Sequence, residues 1–183
     1  MDELKGLHIR DARDDDRDAI LDLTASAYQE YAALMGPEHW QMYRQDMEAT
    51  VCGEVRADII VAEQDGLIVG SALLYPAGTA LRSPDGAERT LERPEVRLLA
   101  VSPAARGRGV GMALMEECLG RARRAGAAEL TLHTNPMMQA AVRLYERMGF
   151  ERAPELDFSP LPGVVIKGYM RRVDGAGAAG TAS

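Results

Sequence analysis

The stretch Arg106-Gly107-Arg108-Gly109-Val110-Gly111 constrains this chain more than any other. It follows an extended apolar segment, Leu98-Leu99-Ala100-Val101, and opens a long amphipathic helix. The first turn of a helix leaves several backbone N–H groups without intrahelical partners, and the aligned peptide dipoles add positive charge there. A bound phosphate is therefore favoured. Closely spaced glycines leave out the Cβ atoms that would keep an anion from those donors. Arg106 and Arg108 can add positive charge; the competing reading of Arg108 directs it to solvent. The competing reading of the same residues is a tight turn required only by sterics.

Two other phosphate loops fail on spacing. No Lys followed by Ser or Thr completes a Walker loop, and after Gly107 and Gly109 the third glycine of a dinucleotide fingerprint is replaced by Met112. The pattern present is R-x-x-G-x-G, formed by Arg106, Gly109 and Gly111.

The 183 residues, 46% hydrophobic and 27% charged, suit one globular domain. That domain is expected over 1–174, with 175–183 as a disordered tail, because Gly175-Ala176-Gly177-Ala178-Ala179-Gly180 has nothing to pack. No run of eighteen apolar residues and no basic-then-apolar start occurs, so no membrane partner and a cytoplasmic location are expected. A net charge of −7 argues against a nucleic-acid partner and tolerates a cationic or amine one. Cys52 and Cys118 are too few and too distant for a disulfide framework. His8, His39 and His133 lack metal-ligand spacing, so no metal is expected. Assembly as a homodimer is left open.

Leu7-His8-Ile9-Arg10 reads as a first strand. Asp14-Asp15-Asp16 then caps a helix with Ile20, Leu21, Leu23, Ala27, Tyr28, Tyr31 and Leu34 near a 3.6-residue repeat, stopped by Gly36-Pro37. A second helix is expected from Glu38 to Val51. Two strands, 59–62 and 67–74, flank the hairpin signal Asp65-Gly66. Pro76 to Pro94 is rich in charge, Gly and Pro, and reads either as an acceptor-site flap or as disorder. Glu95 to Val101 is a strand, and the helix after the glycines buries Val110, Leu114, Met115, Cys118, Leu119 and Ala122. Leu130 to Thr134 is a strand. Asn135-Pro136 looks like a helix cap with proline at the first helical position, and Met137, Ala140, Ala141, Leu144 and Met148 form the expected buried stripe. Phe150 and Gly163 to Val173 are the last two strands, joined through a turn over Asp157 to Pro162.

Ala140-Ala141-Val142-Arg143-Leu144-Tyr145-Glu146-Arg147-Met148-Gly149-Phe150 resembles the A-x-x-x-L-Y-x-x-x-G-F signature of the GNAT N-acetyltransferase superfamily. Val101-Ser102-Pro103 with the R-x-x-G-x-G turn resembles the acyl-CoA motif of the same superfamily, and the two motifs stand in the family's order. The resemblance implies an α/β (α+β) fold: a mixed, mostly antiparallel central sheet, splayed between its strands 4 and 5 and flanked by about four helices. It implies acetyl-CoA as cosubstrate, with Leu99, Ala100 and Val101 binding the pantetheine arm through their backbone. Arg106 and the run Gly107, Arg108, Gly109, Val110, Gly111 and Met112 would hold the diphosphate. Tyr145 is implied beside the coenzyme sulfur as the acid for the leaving thiolate. Glu95 is the implied general base; its competing reading is a solvated strand-start carboxylate paired with Arg93 or Arg97. Many members carry an asparagine where this chain has Met137, so Asn135 is read first as a helix cap and second as a coenzyme contact.

The chemistry so implied is acetyl transfer to a primary amine of a small molecule, peptide or protein by direct attack in a ternary complex. Such an amine is mostly protonated near neutral pH and needs a base, while the oxyanion needs a donor, for which the Val101 N–H is placed. The alternatives are a non-catalytic acyl-CoA-binding module, a longer acyl donor, or an alcohol acceptor. The acceptor site is expected from the first two helices, around Tyr28, Tyr31, Trp40 and Tyr43, and from Pro76 to Pro94.

Overall fold

The computed structural model describes residues 5–53, 57–82, 88–161 and 163–173. Its main sheet runs in the order β1-β2-β3-β6-β7-β10-β8, with β9 pairing β10 off this path. The pairings are antiparallel except between β6 and β7. The strands are β1 Leu7–Asp11, β2 Asp58–Gln64, β3 Leu67–Tyr75, β6 Glu95–Val101, β7 Glu129–Thr134, β8 Glu151–Arg152, β9 Phe158–Leu161 and β10 Val164–Arg172. A separate hairpin pairs β4 Ala80–Arg82 with β5 Glu88–Thr90. The helices are α1 Arg17–Tyr28, the single turn α2 Ala32–Met35, α3 Pro37–Cys52, α4 Val110–Arg124 and α5 Gln139–Arg147.

Period-two alternation distributes the core between two faces. On β2, Ile60 and Ala62 pack with Val110, Leu114, Met115 and Cys118 of α4, while Val61 packs with Ile20 of α1 and Val51 of α3. Asp65 and Gly66, at φ 52° and 78°, form the left-handed pair that a two-residue hairpin with native twist requires.

The first predicted helix is interrupted. α1 stops at Tyr28, a 3-10 turn covers Gln29–Tyr31, and α2 ends at Met35, with Gly36 as its C-cap, before α3 begins at Pro37. The last helix differs more. It starts at Gln139, because the Asn135 Oδ1 accepts the Met137 N–H at 3.0 Å and the Asn135 carbonyl accepts the Met138 N–H at 2.9 Å. Asn135 thus closes a turn before the helix and does not cap it, the competition that Asx side chains offer the backbone. The buried face agrees with the expected stripe in part: Met148 is buried and Ala141 and Leu144 pack against the core, but Met138 and Tyr145 are buried too and Ala140 is exposed. Phe158–Leu161, expected within a turn, is strand β9, and the chain reverses at Gly163 instead. The expected tail 175–183 and residues 83–87 of the proposed flap lie outside the described residues.

Candidate active site

β6 and β7 pair only at Glu95–Thr131 and Val96–Leu132. Beyond Val96 the parallel ladder is not continued, and a gap opens between two neighbouring strands. Its β6 wall carries a bulge: Leu98 has φ 49°, and the β3 register slips between Ser71–Ala100 and Leu73–Arg97. The bulge changes which way the side chains face. Leu98 packs with the α1 and α3 side, whereas Leu99 and Val101 pack with the α4 core. Ala100 sits against Leu23 and Ala27 of α1.

The backbone of this wall follows from the same register. Ser102 donates its N–H to the Val69 carbonyl at 2.9 Å, so in antiparallel alternation Ala100 also faces β3, and the N–H and C=O of Leu99 and Val101 turn to the gap. Two side chains reach those carbonyls. The Tyr28 hydroxyl donates to the Leu99 oxygen at 3.0 Å, and the Arg106 Nε donates to the Val101 oxygen at 3.4 Å.

At the end of the gap, Gly107 and Gly109 hold φ 75° and 84°, a conformation glycine adopts without the strain of a Cβ. Gly109 is the N-cap of α4 and its carbonyl accepts the Ala113 N–H at 3.0 Å, so the N–H groups of Val110, Gly111 and Met112 have no intrahelical acceptor. Gly111 lies where three elements meet: a Cβ there would stand 3.2 Å from Leu144 of α5 and 3.6 Å from Val101 of β6. Arg106 turns away from the helix start. Its guanidinium donates to Glu30 at 2.8 Å and to the Ala27 carbonyl at 2.7 Å, fastening β6 to the end of α1. Arg108 is half-exposed, and Met112 is exposed. A cleft of about 390 Å³ runs from Met112 between α4, α5 and β10, lined among others by Arg123, Arg147 and Arg171.

Tyr145 is buried with its ring against Phe150 and Tyr169, centroids 6.0 and 6.5 Å away. Burial, then the nearby Tyr28 and Cys118, push its phenol well above the usual range, so it stays protonated. The aromatic residues of α1, the following 3-10 turn and α3 form one chain: Tyr28 contacts Tyr31 and Tyr43 at 6.1 and 5.8 Å, and Tyr43 contacts Trp40 at 6.2 Å.

Glu95, only 2% exposed, lies opposite Tyr75 of β3, and so on the side of α1, α3 and the β4–β5 hairpin. Arg89 of β5 donates to its carboxylate at 3.1 Å, Arg97 approaches at 3.5 Å and the His133 Nδ1 lies 3.4 Å away. Burial pushes its carboxyl up, but His133, Arg89 and Arg97 outweigh burial and hold it below the usual range. Arg93, the other expected partner, bonds Glu129 at 2.6 Å instead. Sequence reasoning missed Arg89 and His133. The one available signal for His133 was its parity with Thr131 on β7, the residue opposite Glu95.

Among the described residues, no helix is long and apolar enough to cross a membrane, and no cluster of His, Cys, Asp and Glu could hold a metal ion.

The family model for GNAT acetyltransferases matches residues 18–150. A mycothiol acetyltransferase of Cellulomonas flavigena is 35% identical over 109 residues, 58% of this chain and 30% of that protein. The match covers about a third of the length of such curated relatives. A GNAT family acetyltransferase of Brucella melitensis, solved in complex with acetyl-CoA, is 28% identical over 79% of this chain and 82% of that one, with a TM-score of 0.57. The PaiA N-acetyltransferase of Thermoplasma acidophilum, solved with coenzyme A, shares the fold at a TM-score of 0.65 and 13% identity, covering 88% of this chain and 97% of that one. With the split β6–β7 pair, the glycine turn into α4 and a family match over most of its length, this chain belongs to the GNAT acetyltransferase family.

Proposed function

We propose that this protein transfers an acetyl group from acetyl-CoA to a primary amine by direct attack within a ternary complex. The observation that carries the reading is the gap beyond Val96, whose β6 wall turns the amide groups of Leu99 and Val101 inward and ends at the N-terminus of α4. Pantetheine carries peptide-like amides, and a strand edge satisfies them as a neighbouring strand would. The N–H groups of Val110, Gly111 and Met112 would hold the diphosphate, and the cleft beyond Met112, lined by Arg123, Arg147 and Arg171 together with Glu116, would take the coenzyme's remaining phosphate.

In this reading the Val101 N–H stabilises the oxyanion that forms on the thioester, and Tyr145 donates a hydrogen bond to the departing sulfur. Glu95, ionised across the neutral range, draws in the acceptor's ammonium and takes its proton, directly or through water. The aromatic chain from Tyr28 to Trp40 and the β4–β5 hairpin border the acceptor side. Release of free thiol from acetyl-CoA against a panel of small amines, peptides and proteins tests the reading. Turnover with at least one amine is expected. Tight coenzyme binding without thiol release across the panel would instead identify a non-catalytic acyl-CoA-binding module, and faster release from longer thioesters would change the donor.

A further inference from the structure

The hydrogen bonds around His133 do not balance for a neutral ring. Its Nε2 lies 2.9 Å from the Leu156 carbonyl, which can only accept, so Nε2 carries a hydrogen. A flipped ring would put a C–H at that distance, shorter than C–H···O contacts run. On the other side, Nδ1 is buried without a hydrogen-bond partner and faces the Glu95 Oε2 at 3.4 Å. In a neutral ring protonated at Nε2, Nδ1 would turn a lone pair toward a carboxylate in a site where the two side chains are 10% and 3% exposed. A proton on Nδ1 removes that conflict and makes it a donor to Glu95.

We propose that His133 stands protonated on both ring nitrogens, with Glu95 ionised beside it, and that it is the positioning residue that aims and holds the Glu95 carboxylate. The inference rests on the reading of Glu95 as the group that receives the acceptor's proton. The surroundings fit the assignment. Arg89 comes from β5, Arg97 from β6 and Tyr75 from β3, while Leu156 and the Phe158 ring, 5.3 Å from the imidazole, close the far side. Among the described residues, Glu95 is the acidic group seen facing the ring. The imidazolium approaches it from β7, the strand across the seam, whereas Arg97 reaches it from β6 and Arg89 from the separate β4–β5 hairpin. His133 thereby fixes Glu95 relative to the wall of the gap opposite the acyl donor.

Nitrogen-15 NMR of the full chain labelled at histidine, with the His133 signals assigned by their loss in His133→Gln, reads the ring directly. At pH 7.5 both His133 nitrogens are expected at protonated shifts in the parent, and in Glu95→Gln the ring is expected neutral with hydrogen on Nε2 alone. A neutral His133 in the parent overturns the proposal. Kinetics supply the second arm: His133→Gln and His133→Phe should lower kcat about tenfold, shift the acid limb of the kcat/KM profile and leave coenzyme Kd within about twofold. Variants with parental pH profiles, whatever their stability, also overturn it. Glu95→Gln with parental turnover would remove the reading of Glu95 as the base, and the ring spectrum of the parent decides the His133 assignment separately.

Discussion

Glu95 shows how a buried carboxylate stays charged. Desolvation alone would favour the neutral acid, but His133 and two guanidinium groups supply more than burial removes, and the carboxyl lies below its usual range. A group whose value is lowered by folding contributes stability above its unfolded value, near 4.5, and that contribution is lost as pH falls through the lower folded value. Glu95→Gln should therefore be less stable than the parent at pH 7, with the difference closing between about pH 4.5 and the acid limit of the fold. Thermal melts at pH 7, 5, 4 and 3 check this, and parallel curves would refute it. In the proposed reaction the same change removes the proton acceptor, so turnover should fall by about 10² to 10⁴ with coenzyme affinity unchanged. Affinity is spared because Glu95 faces away from the side to which Leu99 and Val101 point. Tyr145 calls for the opposite substitution logic. Tyr145→Phe keeps the ring that packs on Phe150 and Tyr169 and deletes only the hydroxyl, which in the proposed reaction donates to the departing sulfur. Turnover should drop about tenfold or more with KM for acetyl-CoA within about threefold, read by steady-state thiol release; an unchanged rate would make Tyr145 a packing residue only.

Among the elements, the N-terminus of α4 is held in place by contact with the sheet. A Cβ on Gly70 of β3 would lie 2.8 Å from Val110 and 2.9 Å from Leu114, both buried on α4. Gly70→Ala should cost about 1–3 kcal/mol as α4 is pushed outward, and weaken coenzyme binding with it. Denaturant unfolding and calorimetric titration with coenzyme A measure the two effects, and a variant with both values unchanged would show that the helix has slack. Gly109→Glu acts on the same end differently, placing a like charge in the cradle and a side chain at φ 84°; retained micromolar binding would sink the diphosphate assignment. The elements that could be read from sequence were those whose signals are local: the Asp65-Gly66 hairpin, the Glu95–Val101 strand and the glycine turn into α4. Those misread had competing local chemistry. Asn135 spends its side chain on a turn ahead of α5, and Phe158–Leu161 borrows its strand conformation from pairing with β10. The Glu95 environment was only partly legible, because Arg89 and His133 come from other strands and meet it through the register of a sheet that no single segment encodes.

For the molecule as a whole, the seam between β6 and β7 is the weak line of the sheet. On one side lie β1, β2, β3 and β6; on the other, β7, β10 and β8; two residue pairs join them before the strands part. α4, which packs on both halves, supplies much of the remaining connection. A ligand bonded to the Leu99 and Val101 backbone and held at the start of α4 would bridge this line, and by mass action it stabilises the fold by about 2.7 kcal/mol at one hundred times its Kd. For a chain of this size that corresponds to a rise in Tm of about 5–10 °C. The location of the effect matters more than its size. Ligand bound at the seam should slow amide hydrogen exchange most at Leu99, Val101 and the first turn of α4, with little change in β1 or the α1–α3 connection. Hydrogen-exchange mass spectrometry with and without coenzyme A separates this from binding elsewhere. Protection confined to the arginine-lined cleft around Arg147 and Arg171, with β6 unaffected, would place the coenzyme outside the sheet and remove the gap from the mechanism.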